Sequence, residues 1–463
     1  MDKGFELQPQ VVPPLGGLLT PAALVKRALK EAAKKAGAGV PLVIALERPD
    51  GAISRYETTL FPDDHLYRSS NQFYAERIFK FLLWQRGGYR AFVGGPEEIG
   101  RNIQEVYSLG GARTFDVHLM EEIYGEPFQV IACSPQEVPP ARECFQPMGG
   151  HFEGYRIGFD LGASDIKVVA LVDGEPVFTD EIIWEPTREP DPAYHYQHIL
   201  GALKRAAAHL PRVDAIGGSA AGVYVDNRVR VSSLFRGVPK ERYAQVRDLF
   251  VRLGKEMGVP LVIVNDGEVA ALAGALSLGV KGLLGIAMGS SEAAGYVTPE
   301  GTITGWLNEL AFAPVDYSPH APVDEWSKDR GCGASYLSQQ AVFRLAVEVG
   351  LQFPQDVPKA EQLRAVQELL SAHDSRAEKI WQTIGVYTGY ALAHYLEFYD
   401  ATHILLLGRV TSGRGGELIL EWAERVLETE FPELYPRLQL HLPDEKARRV
   451  GQAIAAASLP PLK

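Results

Sequence analysis

Four short loops, each punctuated by glycine beside a polar residue, constrain this chain more than any other feature. They are DLGASDIK (160–167), VNDGEVAALAGA (264–275), AMGSSEAAGYV (287–297) and LLGRVTSGRGGEL (406–418). Each sits at the C-terminal end of a strand-like run or within a hairpin. In the first, β-branched runs flank Gly-Ala-Ser, which is a hairpin signal. The plain account is a buried hairpin whose Asp160 caps the turn. The sharper account is an anion loop: Gly162 lets the backbone approach a phosphate, Ser164 offers a hydroxyl, and Asp160 could hold a hydrated Mg²⁺.

The order of elements around these loops sets the architecture. From residue 155 onward, strands, a helix and another strand recur twice, which predicts an α/β fold with two similar lobes, about 155–264 and 265–463, facing a cleft. Ligands favour such clefts. Ahead of the lobes, residues 1–131 read as an α/β domain of unknown role. A helix begins at Pro21 and stops at Gly37, and two strands join at Pro49-Asp50-Gly51. An apolar helix ends at Gly87-Gly88, with its Phe79, Leu82 and Leu83 face expected to supply a core for this block alone. A strand, a helix and a final strand, PFQVIAC, complete it. Residues 132–154, rich in Pro and paired Gly, read as a linker. At 463 residues the chain exceeds one ordinary core, so several domains are expected.

Composition excludes some functions. A net charge of −12 argues against a nucleic-acid surface, since phosphate backbones are bound by Lys and Arg. Cys133, Cys144 and Cys332 lack CxxC spacing, which speaks against a disulfide framework or a cysteine zinc site. The N-terminus does not read as a signal peptide, and no apolar run reaches membrane-spanning length. The expectation is a cytoplasmic protein with no membrane partner.

Taken in order and at their spacings, the four loops resemble the motifs of the sugar-kinase and actin superfamily, and within it the ROK family of bacterial sugar kinases and sugar-responsive repressors. The resemblance covers about residues 155–463. It implies two ribonuclease-H-like lobes around a nucleotide and sugar cleft, with ATP and Mg²⁺ as cofactors and a sugar or polyol as partner. It leaves room for a homodimer. Asp160 would lie near the Mg²⁺, and Ser164 with Lys167 near the phosphates. Gly289, Ser290 and Ser291 stand at the second phosphate hairpin, and Gly408 with Arg409 at the adenosine-side loop. Asn265-Asp266 resembles the pair in which Asp is the catalytic base and Asn holds a sugar hydroxyl. Glu309, with Asn308 beside it, falls at the sugar-contacting glutamate.

The departures carry their own implications. Phe312 stands where the family has a histidine that touches sugar and ligates zinc, Ala334 replaces a second sugar-contacting glutamate, and only Cys332 remains of a cysteine cluster. No zinc is expected, because too few thiolate and imidazole ligands remain. The acceptor should differ from glucose, being less hydroxylated, modified or larger. The second phosphate loop has Ser291 for a glycine and carries Glu292, an anion beside the expected polyphosphate. Asp266 could also be only a helix N-cap, and Asn265 and Glu309 only supporting hydrogen-bonding groups. The function expected is phosphoryl transfer to a sugar-like hydroxyl. A sugar-binding regulator and a ligand-binding pseudokinase are the alternatives.

Overall fold

The computed structural model describes residues 7, 9–35, 39–62, 68–143, 148–353, 357–443 and 450–462. Gly37 and Cys144 lie outside them.

The first block forms a four-stranded sheet in the order β2-β1-β3-β4, from β1 (Val40–Glu47), β2 (Ile53–Leu60), β3 (Arg90–Gly94) and β4 (Gln129–Cys133). The β1–β2 hairpin turns at Gly51, whose φ of +81° suits glycine. Helix Ser70–Arg86 follows, stopped by Gly87 at φ +71°. Every residue from Tyr74 to Gln85 is buried, because the helix is covered on more than one side. A helix that the sequence reading left unassigned, Thr114–Tyr124, completes the block.

The core of this block is continuous with that of the second lobe. Phe79, Leu82, Leu83 and Trp84 belong to one apolar cluster with Leu284, Tyr296, Tyr395 and Phe398. The face expected to serve the block alone is therefore shared. Polar contacts run the same way: Arg77, Lys80 and Arg113 converge on Asp329 of the second lobe at 2.8, 3.0 and 2.7 Å, all largely buried.

The first lobe is a five-stranded sheet in the order β11-β8-β5-β6-β7. Its members are β5 (Tyr155–Leu161), β6 (Asp165–Val172), β7 (Glu175–Ile183), β8 (Ala215–Ala220) and β11 (Leu261–Asn265). β5, β6 and β7 are antiparallel, whereas β5, β8 and β11 are parallel. Between β8 and β11 the chain forms a hairpin of β9 (Val223–Val225) and β10 (Arg228–Val231). Ile157, Phe159 and Leu161 alternate onto one face, against Ile199, Leu203 and Phe250 of the covering helices. On the other face lies the C-terminal helix Gly451–Ala457. A Cβ on Gly158 or Gly217 would meet its carbonyls at 1.8 and 1.6 Å, so only glycine permits that approach. The chain thus returns to the first lobe at its end, and the expected second lobe, 265–463, is not a separate body.

The second lobe is a sheet in the order β13-β12-β14-β15, from β12 (Leu283–Met288), β13 (Glu292–Val297), β14 (His403–Leu407) and β15 (Gln439–His441). Helix Ser375–Tyr395 is packed along helix Arg414–Glu430, where glycines 385 and 389 let the backbones approach. Among the described residues, no helix is long and apolar enough to cross a membrane.

Candidate active site

Each glycine loop follows a strand, and within each lobe the two strands concerned run the same way, β5 and β11 in the first and β12 and β14 in the second. β5 leads into Gly162, β11 into Asp266, β12 into Gly289 and β14 into Gly408. Ligands of parallel α/β sheets collect at such carboxyl ends.

Asp160 is the penultimate residue of β5, on the face opposite Phe159, and is 8% exposed. Ser219 of β8 donates its hydroxyl to Asp160 Oδ1 at 2.7 Å. Burial pushes the Asp160 carboxyl up, against the Ser219 hydrogen bond and the nearby Lys167 charge. Asp266 opens helix Asp266–Leu278. The cap of that helix is Asn265, which accepts from the Gly267 N–H at 2.7 Å. The Asn265 amide also donates to the Gly222 carbonyl at 2.8 Å, so it is engaged at both ends. Burial, then the charge of Asp160, pushes the Asp266 carboxyl up to about 6. Glu309 is pushed up to about 7 by burial and then by Asp266. Asp160 and Glu309 each lie within electrostatic reach of Asp266.

Glu309 is placed by the first block. The last turn of helix Ser70–Arg86 leaves carbonyls without helical partners. Those of Trp84 and Gln85 accept the N–H groups of Glu309 and Asn308 at 3.0 and 2.9 Å. Asn308, expected at the substrate, lies in the interior instead, 3% exposed and at φ +50°. Its amide donates to Glu268 and accepts from the Tyr399 hydroxyl at 2.7 Å.

The glycine loops differ from one another. Ser164 and Lys167 both hold Asp165, at 2.9 and 2.8 Å. Gly289 donates to the Ser291 carbonyl at 3.0 Å, while Ser290 and Ser291 are exposed. Gly408 adopts φ +105°, and a Cβ there would stand 2.6 Å from the Met288 carbonyl, which locks its loop beside that of β12. Arg409 is exposed, and its carbonyl accepts from Gln367 at 2.7 Å. Glu292 faces the interior rather than the exposed Ser290-Ser291 loop. Strand alternation turns it inward with Ala294 and Tyr296, where the Tyr395 hydroxyl donates to it at 2.9 Å. Burial pushes its carboxyl up to about 8. Cys332 is likewise buried, with its thiol pushed up to about 12.

Sequence reasoning missed Ser219, Tyr224 and Trp84. Ser219 was detectable as a polar residue in an apolar strand. Tyr224 lies near enough for Asp266 to raise its hydroxyl pKa after burial. Trp84 acts through a backbone carbonyl, which leaves no mark in a sequence.

The two interior carboxyls give a stability prediction. Burial raises Glu268, like Glu292, to about 8 from an ordinary 4.5. A raised acid contributes stability that is complete below its unfolded pKa and is lost as pH rises through the folded one. The wild type should therefore lose stability progressively from about pH 4.5 to 8, by up to a few kcal/mol per group. Glu292→Gln should match the wild type near pH 4 and exceed it by a growing margin up to pH 8.5 in thermal melts. Parallel curves at both pH values would contradict the assignment.

No protein-family model and no curated protein sequence matches this chain. Solved structures match in fold. A ROK hexokinase from Thermus thermophilus aligns at 22% identity and a TM-score of 0.53, over 65% of this chain and 96% of its own. A ROK-family transcriptional regulator, a homologue of the E. coli MLC protein, aligns at 18% identity and a TM-score of 0.52, over 66% and 78%. About two thirds of this chain has the fold shared by ROK-family sugar kinases and regulators, and the remainder lies outside that match.

Proposed function

We propose that the protein transfers a phosphoryl group from ATP, with Mg²⁺, to a hydroxyl of a sugar or sugar-like acceptor. The observation that carries this reading is the buried carboxyl of Asp266 directly after β11, within electrostatic reach of Asp160 near the end of β5 and of Glu309. A general base works best with a pKa near the operating pH, and Asp266 at about 6 meets that condition. Its carboxylate would take the proton from the acceptor hydroxyl, and Glu309 would accept a hydrogen bond from a neighbouring hydroxyl. Among the described residues no group of three His, Cys, Asp or Glu side chains could hold a metal by itself, so Mg²⁺ would keep most of its water and draw on a single hard carboxylate of the chain. Asp160 would hold it through water. When bound, Mg²⁺ would neutralise charge on the transferring phosphoryl oxygens. The Gly162, Gly289 and Gly408 loops would receive the nucleotide, with Ser164, Lys167, Ser290, Ser291 and Arg409 at their rims.

The runner-up is a ROK-type regulator or a pseudokinase that binds ligand without turnover. Ser291, in place of a glycine in the second loop, favours it. Calorimetric nucleotide titration separates the readings. Asp160→Ala should weaken Mg²⁺-dependent ATP binding by on the order of tenfold or more, because it removes the metal's partner. Absence of ATP binding in the wild type, or an affinity indifferent to Mg²⁺ and to Asp160, would remove the kinase reading.

A further inference from the structure

The groups around Glu309 are unevenly distributed between polar and apolar. Phe312, three residues on, is half-buried and lies 4.4 Å from the Trp84 ring and 5.3 Å from that of Phe115, centroid to centroid. Phe115 is half-buried too, in the first turn of helix Thr114–Tyr124. That helix also packs against β9 and β10 of the first lobe. Alternation along β9 sends Tyr224 toward the first-lobe core, and Val223 and Val225 toward the cluster that contains Trp84. Both valines remain half-buried. Three parts of the chain thus bring partly uncovered apolar surface to the Trp84 cluster, with Phe312 three residues along the chain from Glu309 and the valines next in sequence to Tyr224, which feels the Asp266 charge.

The polar side chains nearby are already committed. Trp84 Nε1 donates to Asp116 at 2.5 Å, and Asn308 serves Glu268 and Tyr399. Asn265 caps its helix, and Ser219 serves Asp160. The Glu309 carboxylate, and the free lone pairs of Asp266, whose Oδ1 accepts from the Gly267 N–H at 3.1 Å, remain for an acceptor's hydroxyls. Two carboxylates can orient a few hydroxyls, while a fully hydroxylated ligand would press unpaired hydroxyls onto phenylalanine and valine.

We infer that the acceptor is a sugar-like molecule carrying an apolar, preferably aromatic, substituent, held at its hydroxyl end by Asp266 and Glu309 and at its apolar end by Phe115 and Phe312. This deepens the kinase reading and rests on it for the word acceptor, but binding alone tests it. The probes are matched pairs of free hexoses and their phenyl glycosides, titrated calorimetrically without nucleotide. At least one phenyl glycoside should bind on the order of tenfold tighter than its free hexose, the scale of a stacked and buried ring. Phe115→Ala should remove most of that preference and leave free-hexose binding unchanged. Phe115→Leu, which keeps apolar volume, should lose it only in part, with melting temperatures checking that both variants fold. Equal affinities within every pair, binding of no probe, or an equal loss for both members of a pair in Phe115→Ala would overturn the inference. A phenyl preference without MgATP turnover would instead remove the kinase reading and leave the inference standing.

Discussion

Asp266→Asn should lower turnover with the best acceptor by on the order of 10²-fold or more, the range for a lost general base. The structure makes this substitution cleaner than the sequence alone allowed. Asp266 could have been an N-cap, but Asn265 fills that role, with its side chain on the Gly267 N–H. Replacing the carboxylate therefore leaves the helix start intact. It also removes an acid that burial and Asp160 already disfavour in its charged form. The variant should accordingly be at least as stable as the wild type above pH 7, while MgATP affinity changes little. The pH profile separates a base from a bystander. Wild-type kcat/KM should rise with pH through a limb near 6, and that limb should vanish in Asp266→Asn. Near-normal turnover in the variant would mean that another residue takes the proton, or that the protein transfers none.

What could be read from the sequence, and what could not, divides along the range of the interactions involved. The β5–β6 hairpin was visible because alternating β-branched runs and a Gly-Ala-Ser turn are local signals. The junction of β11 with the Asp266 helix was visible for the same reason. The direction of Glu292 was open to the same reasoning, since period two places it on the face of Ala294 and Tyr296. The family resemblance implied a phosphate neighbour instead, which the strand period does not. Helix Thr114–Tyr124 carried a signal as well, with Val117, Met120 and Tyr124 at helical spacing and all buried. The role of the first block left no such trace. Its link to Glu309 passes through the Trp84 carbonyl, and its ion pairs join Arg77 to a residue 252 positions away. Pattern within a window cannot report contacts of that range.

Those long contacts lead to the second large effect. A chain lacking residues 1–131 should fail to fold cooperatively, although the remaining part contains Asp160, Asp266, Glu309 and all four glycine loops. Deletion would uncover the face of the second lobe formed by Leu284, Tyr296, Tyr395 and Phe398, which shares its core with the first block. Each large side chain re-exposed costs about 1.5–3 kcal/mol, so a handful exceeds the whole stability of an ordinary domain. Deletion would also strip Asp329 of three cations. Burial alone would raise that carboxyl, yet Arg77, Lys80 and Arg113 hold it well below the usual range. Breaking such a buried network from one side costs about 3–5 kcal/mol, because charges are left without partners. Asp329→Ala in the full chain isolates that electrostatic part and should lower the melting temperature steeply. It would also loosen the segment that carries Glu309, since Gly331 and Gly333 are paired with Val315 and Ala313. A truncated chain that is soluble and melts sharply within a few degrees of the full protein would show that the first block is an addition. Aggregation of the truncated chain, together with a strongly destabilised Asp329→Ala, would show that it is structurally part of the second lobe.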